Sequence, residues 1–556
     1  TARHRAELGQ LEQQDPEFFK FLQENDANLL DFDDSDDSDL ESESETEDAA
    51  DEDAEEGSGV AGEGELGQMG AGGVVVEATL ELVKETIAGA TKGSYSALKR
   101  LMTIFRAACI PASAEESTER ATSSKYTVST PEIYNTVMVR TMENAYKAFY
   151  HQLGLKRGKI TSEQLKELEN DSRLKKIQPL ILSFYKSLTH SLDSLATTDQ
   201  AREVVLYLVS GLEPYIPLLA PVPRLAKSVL KVLLKLWASG PSPAEDPSHA
   251  RGHCFLRIRQ LCIVLPGVMP EECFKSIYMT FARNCKTYSE LTEPSIVFMA
   301  QCITELYKLD PVLAYQQGFL YIRQLALHLR AAYVKKTTET TRQVLNWQYL
   351  NCLRLWTRVV CSMPGPEELG PLVFPLAQVM QGVLSVAASA VYLPLRFHVI
   401  SSLQQLAANG EVFIPLAPKL REVFELSEIL SSPKPSTEVA PRFQFLVKIP
   451  ADDVVKPAVR DCIIEETIYL LRQEAEIYRY HVAVPEYLYL TTRKIRQFCK
   501  NCKIGKWRDL GKTLITRNEE ISAFAKKHRL LLGKAPMHIT DFEPIKPPAE
   551  VSSAKR

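Results

Sequence analysis

The residues best suited to a binding chemistry lie between positions 493 and 508, where Lys and Arg recur within sixteen residues and are interleaved with Phe498 and Trp507. Lys and Arg can reach phosphate oxygens, and unpaired bases can stack on aromatic rings or on guanidinium planes. The pattern therefore predicts RNA binding by Arg493, Lys494, Arg496, Lys500, Lys503, Lys506, Trp507 and Arg508. A solvated basic helix that covers an acidic neighbour fits the pattern equally well.

A second group of polar side chains follows helical spacing between positions 346 and 360. One face, with intervals of four, seven and eleven residues, carries Trp347, Asn351, Arg354 and Arg358. The opposite face carries Leu345, Tyr349, Cys352, Leu353, Trp356 and Val360. A Trp beside two Arg predicts a docking patch for a partner protein. The alternative is that neighbouring helices bury this second face as well.

No segment has the spacing that nucleotide, metal or nucleophilic chemistry requires. Residues 505–513 resemble a phosphate-binding loop, but five residues separate the two glycines where such a loop needs four. Cys499 and Cys502 form a C-x-x-C pair without a second pair at metal-binding spacing. Neither a G-x-S-x-G elbow nor an H-E-x-x-H pair occurs. We therefore expect a protein that is not an enzyme and has no cofactor and no small-molecule substrate.

The N-terminal region begins with a short aromatic helix motif. Asp15, Pro16 and Glu17 form a helix start, and three aromatic side chains follow at once. Such a short helix cannot fold alone, so we expect it to dock into a groove of this chain or of a partner. The candidate contacts are Phe18, Phe19 and Phe21. Local packing of a terminal helix is the alternative.

An acidic segment follows between Asp31 and Glu65, which holds 18 of the 70 acidic residues and no Lys or Arg. Its few apolar residues cannot offset the entropy cost of ordering, so we expect a disordered tether. Three serines have an acidic residue three positions later, a context that acid-directed kinases favour. These candidate phosphorylation sites are Ser38, Ser42 and Ser44. A tether that only solvates the chain is the simpler alternative.

The remainder of the chain has 65 basic against 52 acidic residues, a net charge of +13 that suits an acidic partner such as RNA. Scattered surface Lys and Arg are the alternative explanation. Apart from Cys499 and Cys502, the eleven Cys occur singly, as small apolar residues in a reducing compartment would. We expect no membrane segment, because polar Gln and flanking Pro interrupt the most apolar run, residues 371–395.

Residues 311–360 are predicted to form two helices joined by a short turn rich in Lys and Thr, and this pair indicates the architecture of the chain. The first helix has one apolar side with Ile322, Leu325, Ala326 and Leu329. A second apolar side carries Leu320 and Leu327. A helix that is apolar on two sides is expected to lie between neighbouring helices. The polar stripe of Arg323 and Arg330 is then expected to make structural hydrogen bonds.

Internal similarities indicate that helical hairpins repeat along the chain. Residues 255–261, FLRIRQL, match residues 319–325, FLYIRQL. An apolar-Pro-Leu start recurs at residues 216–218, 374–376 and 414–416, and the last two starts are 40 residues apart. Hairpins at about this period are typical of HEAT and armadillo repeats. The fold class we predict is all-α, an irregular HEAT/armadillo-like helical-repeat solenoid with a disordered acidic N-terminal segment and an extended C-terminal tail.

Composition places the expected boundaries between these regions. The N-terminal part divides into the docking helix motif 1–30, the acidic tether 31–73, a helical segment 74–112 and a linker 113–129. The solenoid spans 130–430 and is followed by a Ser/Pro linker, 431–441. A C-terminal helical region with the basic cluster, 442–534, and a tail, 535–556, complete the chain. Alternating Phe and Val between residues 443 and 449 predict one extended segment near the start of that region.

The segments FLYIRQLALHLR (319–330) and NWQYLNCLRLW (346–356) resemble the core of the nucleolar complex protein 2 family. Five further segments resemble the same family in the same order along the chain. They are DPEFFKFLQEND (15–26), FARNCKTYSE (281–290), ELYKLDPVLAYQQGFLY (305–321), FPLAQV (374–379) and YLPLRFHVI (392–400). The similarity covers most of residues 123–512 together with the N-terminal motif.

The resemblance implies an assembly factor of the large ribosomal subunit in the nucleolus and nucleoplasm. Its implied partners are nucleolar complex proteins 1 and 3 and the pre-60S particle with its precursor rRNA and assembly factors. A rigid helical scaffold would hold these partners during maturation and intranuclear movement, without catalysis. The alternative from another functional class is a solenoid transport adaptor that carries a protein cargo.

Overall fold

The computed structural model describes residues 76–110, 126–128, 130–155, 172–195, 202–239, 249–265, 267–365, 368–410, 412–430, 440–532 and 539. Within these ranges the chain is all-α, with nineteen α-helices joined by short turns and 3-10 segments. Two parallel strands of two residues each, β1 (Val76–Glu77) and β2 (Tyr126–Thr127), form the one sheet there. Strands this short carry no alternating pattern, so the sequence does not predict them.

The first six helices precede the centre of the chain. They are α1 (Leu80–Thr91), α2 (Tyr95–Cys109), α3 (Pro131–Leu153), α4 (Ser172–Leu195), α5 (Arg202–Gly211) and α6 (Pro223–Ala238). The next eight are α7 (Ala250–Val264), α8 (Met269–Asn284), α9 (Glu293–Tyr307), α10 (Pro311–Lys335), α11 (Thr338–Val344), α12 (Trp347–Ser362), α13 (Val373–Val386) and α14 (Leu393–Asn409). The last five are α15 (Ala417–Arg421), α16 (Ser427–Leu430), α17 (Pro457–Ile477), α18 (Val484–Asn501) and α19 (Gly505–Leu532).

Capping residues explain where several helices begin. Asp310 caps α10 through its carboxylate, which accepts a hydrogen bond of 3.0 Å from the Leu313 N–H, and Pro311 then occupies the first helical position. The Asn346 side chain caps α12 in the same way and accepts a bond of 2.8 Å from the Tyr349 N–H. These caps place the boundaries of the two helices that the sequence pattern identifies most clearly.

Aromatic rings form the core where α2, α3 and α4 meet the 3-10 segment Glu213–Leu219. The Phe184 ring stacks on Phe105 at 5.3 Å and on Tyr215 at 4.8 Å. All three rings are fully buried, and the Tyr215 hydroxyl donates to the Met142 carbonyl at 2.9 Å. The polar end of the tyrosine therefore has a partner inside the core.

Trp356 of α12 lies at the centre of the middle helices. Its fully buried indole is surrounded by the rings of Tyr278, Tyr307 and Tyr321, at 5.5, 5.7 and 6.2 Å. Gly318 lets α10 approach this ring, because an added Cβ would lie 2.7 Å from a Leu372 methyl carbon and 3.1 Å from the indole. Close packing of this kind fixes α12 against α8, α9 and α10.

Helices pack mainly on helices that are near them in the chain. One row of contacts runs from α9 to α12, then to α14 and to α17, while α10 packs on α13. At the C-terminal end α19 packs along α18 and also contacts α17, and Arg529 of α19 forms an ion pair with Glu486 of α18. The row from α9 to α17 is the part of the fold that positions the candidate site.

The two helices predicted within residues 311–360 differ from the sequence expectation in two details. The Lys/Thr-rich turn contains a helix of its own, α11, whose N-cap Thr337 accepts a hydrogen bond from the Thr340 N–H at 3.2 Å. Ile322 and Leu325 are buried as expected, but Leu320 and Leu327 on the second apolar side are only half-buried. Helix α10 packs on α13 as well as on α8, α9 and α12, so it lies between neighbouring helices as expected.

The segment predicted to be extended is only partly so. Residues Phe443–Phe445 form a 3-10 turn, and the chain then runs along α14. The Ile449 N–H donates to the Val391 carbonyl at 2.8 Å, and the Phe443 ring lies 6.3 Å from the Phe397 ring. This segment closes one side of the cleft described below.

Candidate functional site

A cleft of about 760 Å³ opens between α9, α12, α14, α17 and the 443–445 turn. Three of the four residues that helical spacing assigns to the polar face of α12 line it, and the other walls come from distant parts of the chain. The polar lining that matters for binding comprises Asn351, Arg354, Arg358, His398, Ser401 and Glu465. Three residues of the candidate docking patch are therefore part of one wall of a cleft.

Arg354 packs beside two stacked aromatic rings. The Trp347 and Tyr288 rings stack at 4.8 Å, and the guanidinium carbon of Arg354 lies 5.6 and 5.1 Å from their centres. Burial lowers the pKa of Arg354, while the negative charge of Glu293 and the Tyr288 phenol act against that shift. The ring contacts replace part of the lost hydration of the cation.

Asn351 anchors α12 to the end of α8. Its side chain is 2% exposed, and its Nδ2 donates to the Cys285 carbonyl at 3.0 Å. The Oδ1 atom of the same side chain accepts a hydrogen bond of 3.5 Å from a guanidinium nitrogen of Arg354. Asn351 thus faces the cleft with little free surface, and its hydrogen bond is a structural one.

Arg358 follows one turn later on α12 and is half-buried. Burial lowers its pKa, while the Tyr288 phenol acts against this shift. Its guanidinium makes no ion pair with another residue in the described ranges. Arg358 is therefore the cation in the cleft that is best placed to meet a ligand.

His398 of α14 forms the wall beside Trp347, with the two rings 5.4 Å apart. Its Nε2 donates to the Leu446 carbonyl at 3.1 Å, which ties α14 to the 443–449 segment. Burial, together with the positive charge of Arg354, lowers the pKa of His398 to about 3. The imidazole is consequently neutral at physiological pH.

The opposite wall comes from α17, where Glu465, Glu466 and Tyr469 face the cleft. A second cleft of about 520 Å³, between α17 and α19, shares Glu465 and Tyr469 with the first. Reasoning from residue spacing did not find this wall, because residues 465–469 read as an ordinary amphipathic helix. Tyr288 and His398 lie in segments that carry the family resemblance, but only the packed helices bring them next to α12.

The basic cluster divides into paired and unpaired side chains. Lys494 pairs with Glu425, Arg496 with Glu519 and Lys506 with Glu465. The members that are exposed and form no ion pair within the described part of the chain are Arg493, Lys500, Lys503 and Arg508. These four side chains remain available for phosphate contacts.

Trp507 is not placed to stack on a base. Its side chain is 3% exposed, and its indole N–H donates to the Asp461 carboxylate at 2.6 Å. The ring packs against Phe498 at 6.3 Å and under the Arg460 guanidinium at 5.3 Å. The apolar face of the helix explains this position, because Trp507 fills the contact between α17 and the start of α19.

The remaining candidate residues concern the N-terminal region and the cysteine pair. Phe18, Phe19, Phe21, Ser38, Ser42 and Ser44 lie outside the described residues. Cys499 and Cys502 are free thiols, and their sulfur atoms lie 3.8 and 3.6 Å from the carbonyls of Arg508 and Ile504. Across the described ranges, no three His, Cys, Asp or Glu side chains group as a metal site would need. In those same ranges no helix has the length and apolar character of a membrane span.

Comparison with known proteins relates this chain to one family. The model of the Noc2p family matches residues 268–547, which include the whole cleft and the basic cluster. The chain is 30% identical to "Nucleolar complex-associated protein 2" of Arabidopsis thaliana over 95% of its own length and 68% of the relative's. It is 27% identical to "Nucleolar complex protein 2 homolog" of Caenorhabditis elegans, over 94% of its length and 73% of the relative's.

A shorter match is 29% identical to "Nucleolar complex protein 2" of Drosophila melanogaster and covers 58% of this chain and 41% of the relative. The family model, the long matches and the resembling segments in the helices around Trp356 agree with one another. The chain therefore belongs to the Noc2p family.

Proposed function

We propose that this chain is a non-enzymatic assembly factor of the large ribosomal subunit that acts in the nucleolus and nucleoplasm. The observation that carries the proposal is the family match together with similarity over 95% of the chain to a relative named as a nucleolar complex-associated protein. In this proposal the protein binds precursor particles, supports their maturation and moves with them within the nucleus.

The scaffold we propose is an irregular HEAT/armadillo-like solenoid. Its support is the row of packed helices from α9 to α17, in which α12 and α14 each pack on the helix before and the helix after them in the row. Gly318 of α10 lies against Leu372, just before α13, and Gly382 of α13 lies against Leu329, further along α10. Both contacts move toward the C-terminal ends together, so the two helices run side by side in the same direction. Equivalent helices of successive repeats pack in this way.

Two surfaces divide the binding work in this proposal. The α12 cleft takes part of a partner protein, and nucleolar complex proteins 1 and 3 are the partners that the sequence resemblance implies. The exposed cations Arg493, Lys500, Lys503 and Arg508 contact precursor rRNA through its phosphates. Arg493 and Lys500 lie on α18, Arg508 lies on α19 and Lys503 lies in the short turn between them, so the scaffold would hold protein and RNA in a defined geometry.

The proposal is tested by crosslinking and purifying the tagged protein from cells, followed by sequencing of bound RNA and identification of bound proteins. We expect large-subunit precursor rRNA together with nucleolar complex proteins 1 and 3. Recovery of transport factors with one dominant cargo, and no precursor rRNA, would contradict the proposal and favour a transport adaptor.

A further inference from the structure

Arg358 is a cation that lines the α12 cleft without a paired acid among the described residues. It differs from Arg354, whose guanidinium packs beside two aromatic rings and is affected by the charge of Glu293. Holding a partly buried cation without a counter-charge costs free energy, and an anionic group of a ligand would recover that cost. The free charge of Arg358 therefore points to a ligand with a carboxylate or a phosphate.

The other charges of the cleft decide between these two ligands. Glu465 forms an ion pair with Lys506, and the charge of Glu293 acts on Arg354, whereas Arg358 forms no ion pair among the described residues. An RNA strand carries a charge at every nucleotide, and a single unpaired cation would meet only one of these charges. A peptide can place one carboxylate at Arg358 and apolar or neutral side chains along the rest of the cleft. The charge pattern thus favours a segment of protein.

Apolar surface beside Arg358 supports the same ligand class. Tyr469 is 47% exposed on the α17 wall, and Val297, on the α9 side of the cleft, is half-buried. Ser401 and Gln405 are exposed on α14, a third side of the cleft, and offer hydroxyl and amide groups to a peptide backbone. A cleft of about 760 Å³ has the size at which several ligand side chains are enclosed.

We propose that the α12 cleft binds an acidic peptide segment of a partner protein, with one Asp or Glu carboxylate paired to Arg358 and a neighbouring apolar side chain against Tyr469. The inference rests on the proposed function, because an assembly complex would supply the partner. It adds the chemistry of the recognised segment, which the family membership does not specify.

The test places a photocrosslinking benzoylphenylalanine at position 401 of the full chain in cells, since Ser401 is exposed and lines the cleft. After irradiation, mass spectrometry identifies the crosslinked peptide. We expect a protein segment with Asp or Glu within a few residues of the crosslink. The same probe at Gln378, an exposed position of α13 outside the cleft, should not capture that segment.

Charge variants then test the pairing. Arg358→Glu should lower the crosslink yield at least tenfold, whereas Arg358→Lys should keep most of it. Arg330→Glu, at an exposed position of α10, is the charge-matched control and should leave the yield unchanged. Replacing the identified Asp or Glu of the partner with Lys should restore crosslinking to the Arg358→Glu variant, a result that misfolding could not produce.

Each contrary outcome separates the two proposals. Crosslinking to RNA, to a segment without acidic residues, or to nothing would overturn the acidic-peptide proposal. If the same sample still contained precursor rRNA, the assembly function would stand. Capture of an acidic segment without any precursor particle would support the cleft proposal and contradict the assembly function.

Discussion

At the residue scale, single polar side chains hold the cleft in shape. Asn351 links α12 to the end of α8, and His398 links α14 to the 443–449 segment, each through one hydrogen bond to a backbone carbonyl. A buried carbonyl that loses its donor retains the full cost of dehydration. These two residues should therefore contribute more to the free energy of unfolding than exposed Asn and His residues of this chain.

We predict that Asn351→Ala lowers the free energy of unfolding by about 1–3 kcal/mol, because the Cys285 carbonyl loses its buried donor. Asn409→Ala is the matched control, since the exposed Asn409 also donates to a backbone carbonyl, that of Gln405. Its effect should stay below about 0.5 kcal/mol. Urea unfolding followed by circular dichroism measures both. Equal losses would show that Asn351 is not a structural anchor.

Acid should destabilise the protein through His398. Its pKa in the folded chain is about 3, below the ordinary value of 6.5, so the unfolded chain binds the proton more strongly between these values. The stability due to neutral His398 is present above pH 6.5 and is lost as the pH falls toward 3. The slope is at most about 1.4 kcal/mol per pH unit.

The variant His398→Gln should flatten the stability profile between pH 6.5 and about 4. His253→Gln is the control, because the His253 ring hydrogen-bonds to the Ser210 hydroxyl of a different helix, away from the cleft. It should keep the slope of the unchanged protein. A His398→Gln profile with the original slope would remove His398 as the source of the acid sensitivity.

At the element scale, the helical period predicts which face of α12 is in the core. Tyr349, Leu353 and Trp356 are buried as the spacing indicates. Spacing within one helix does not tell which other helices cover its second face. The sequence therefore does not predict that Tyr288, in the turn after α8, and His398 of α14 pack next to α12. It does not predict the burial of Trp507 either. Helix α11 was also missed, because seven residues carry too little periodic signal.

The core face of α12 gives a direct test. Leu353→Asp places an unpaired carboxylate at a position that is 1% exposed, so we expect a loss of about 3–5 kcal/mol of stability or local unfolding. Leu531→Asp is the matched control, because Leu531 is 77% exposed near the end of α19. Thermal melting should show a large shift for the first variant only. A native melting curve for Leu353→Asp would contradict the assignment of this face.

At the scale of the whole molecule, the account combines a helical scaffold with a cationic surface where α18 ends and α19 begins. The family resemblance could be found in the sequence, and so could the positions of the basic residues. Which cations remain unpaired could not, since Glu425, Glu465 and Glu519 reach the cluster from other elements or from later turns.

We predict that replacing Arg493, Lys500, Lys503 and Arg508 with Glu weakens binding to precursor rRNA. The slope of log affinity against log salt concentration should fall by up to about 3, because each lost phosphate contact on single-stranded RNA contributes about 0.7. Replacing Lys99, Arg100, Lys335 and Arg342, all exposed and distant in sequence, provides the charge-matched control. Filter binding at several salt concentrations measures both. Equal slopes for the two variants would assign the binding to overall charge.

The measurement that tests the central claim most directly is rapid depletion of this protein from cells, followed by quantification of large-subunit precursor rRNA and free large subunits. The account predicts that precursors accumulate and large subunits decline while small subunits are made at first, and that the intact chain restores both. Unchanged large-subunit levels after complete depletion would contradict a role in large-subunit assembly.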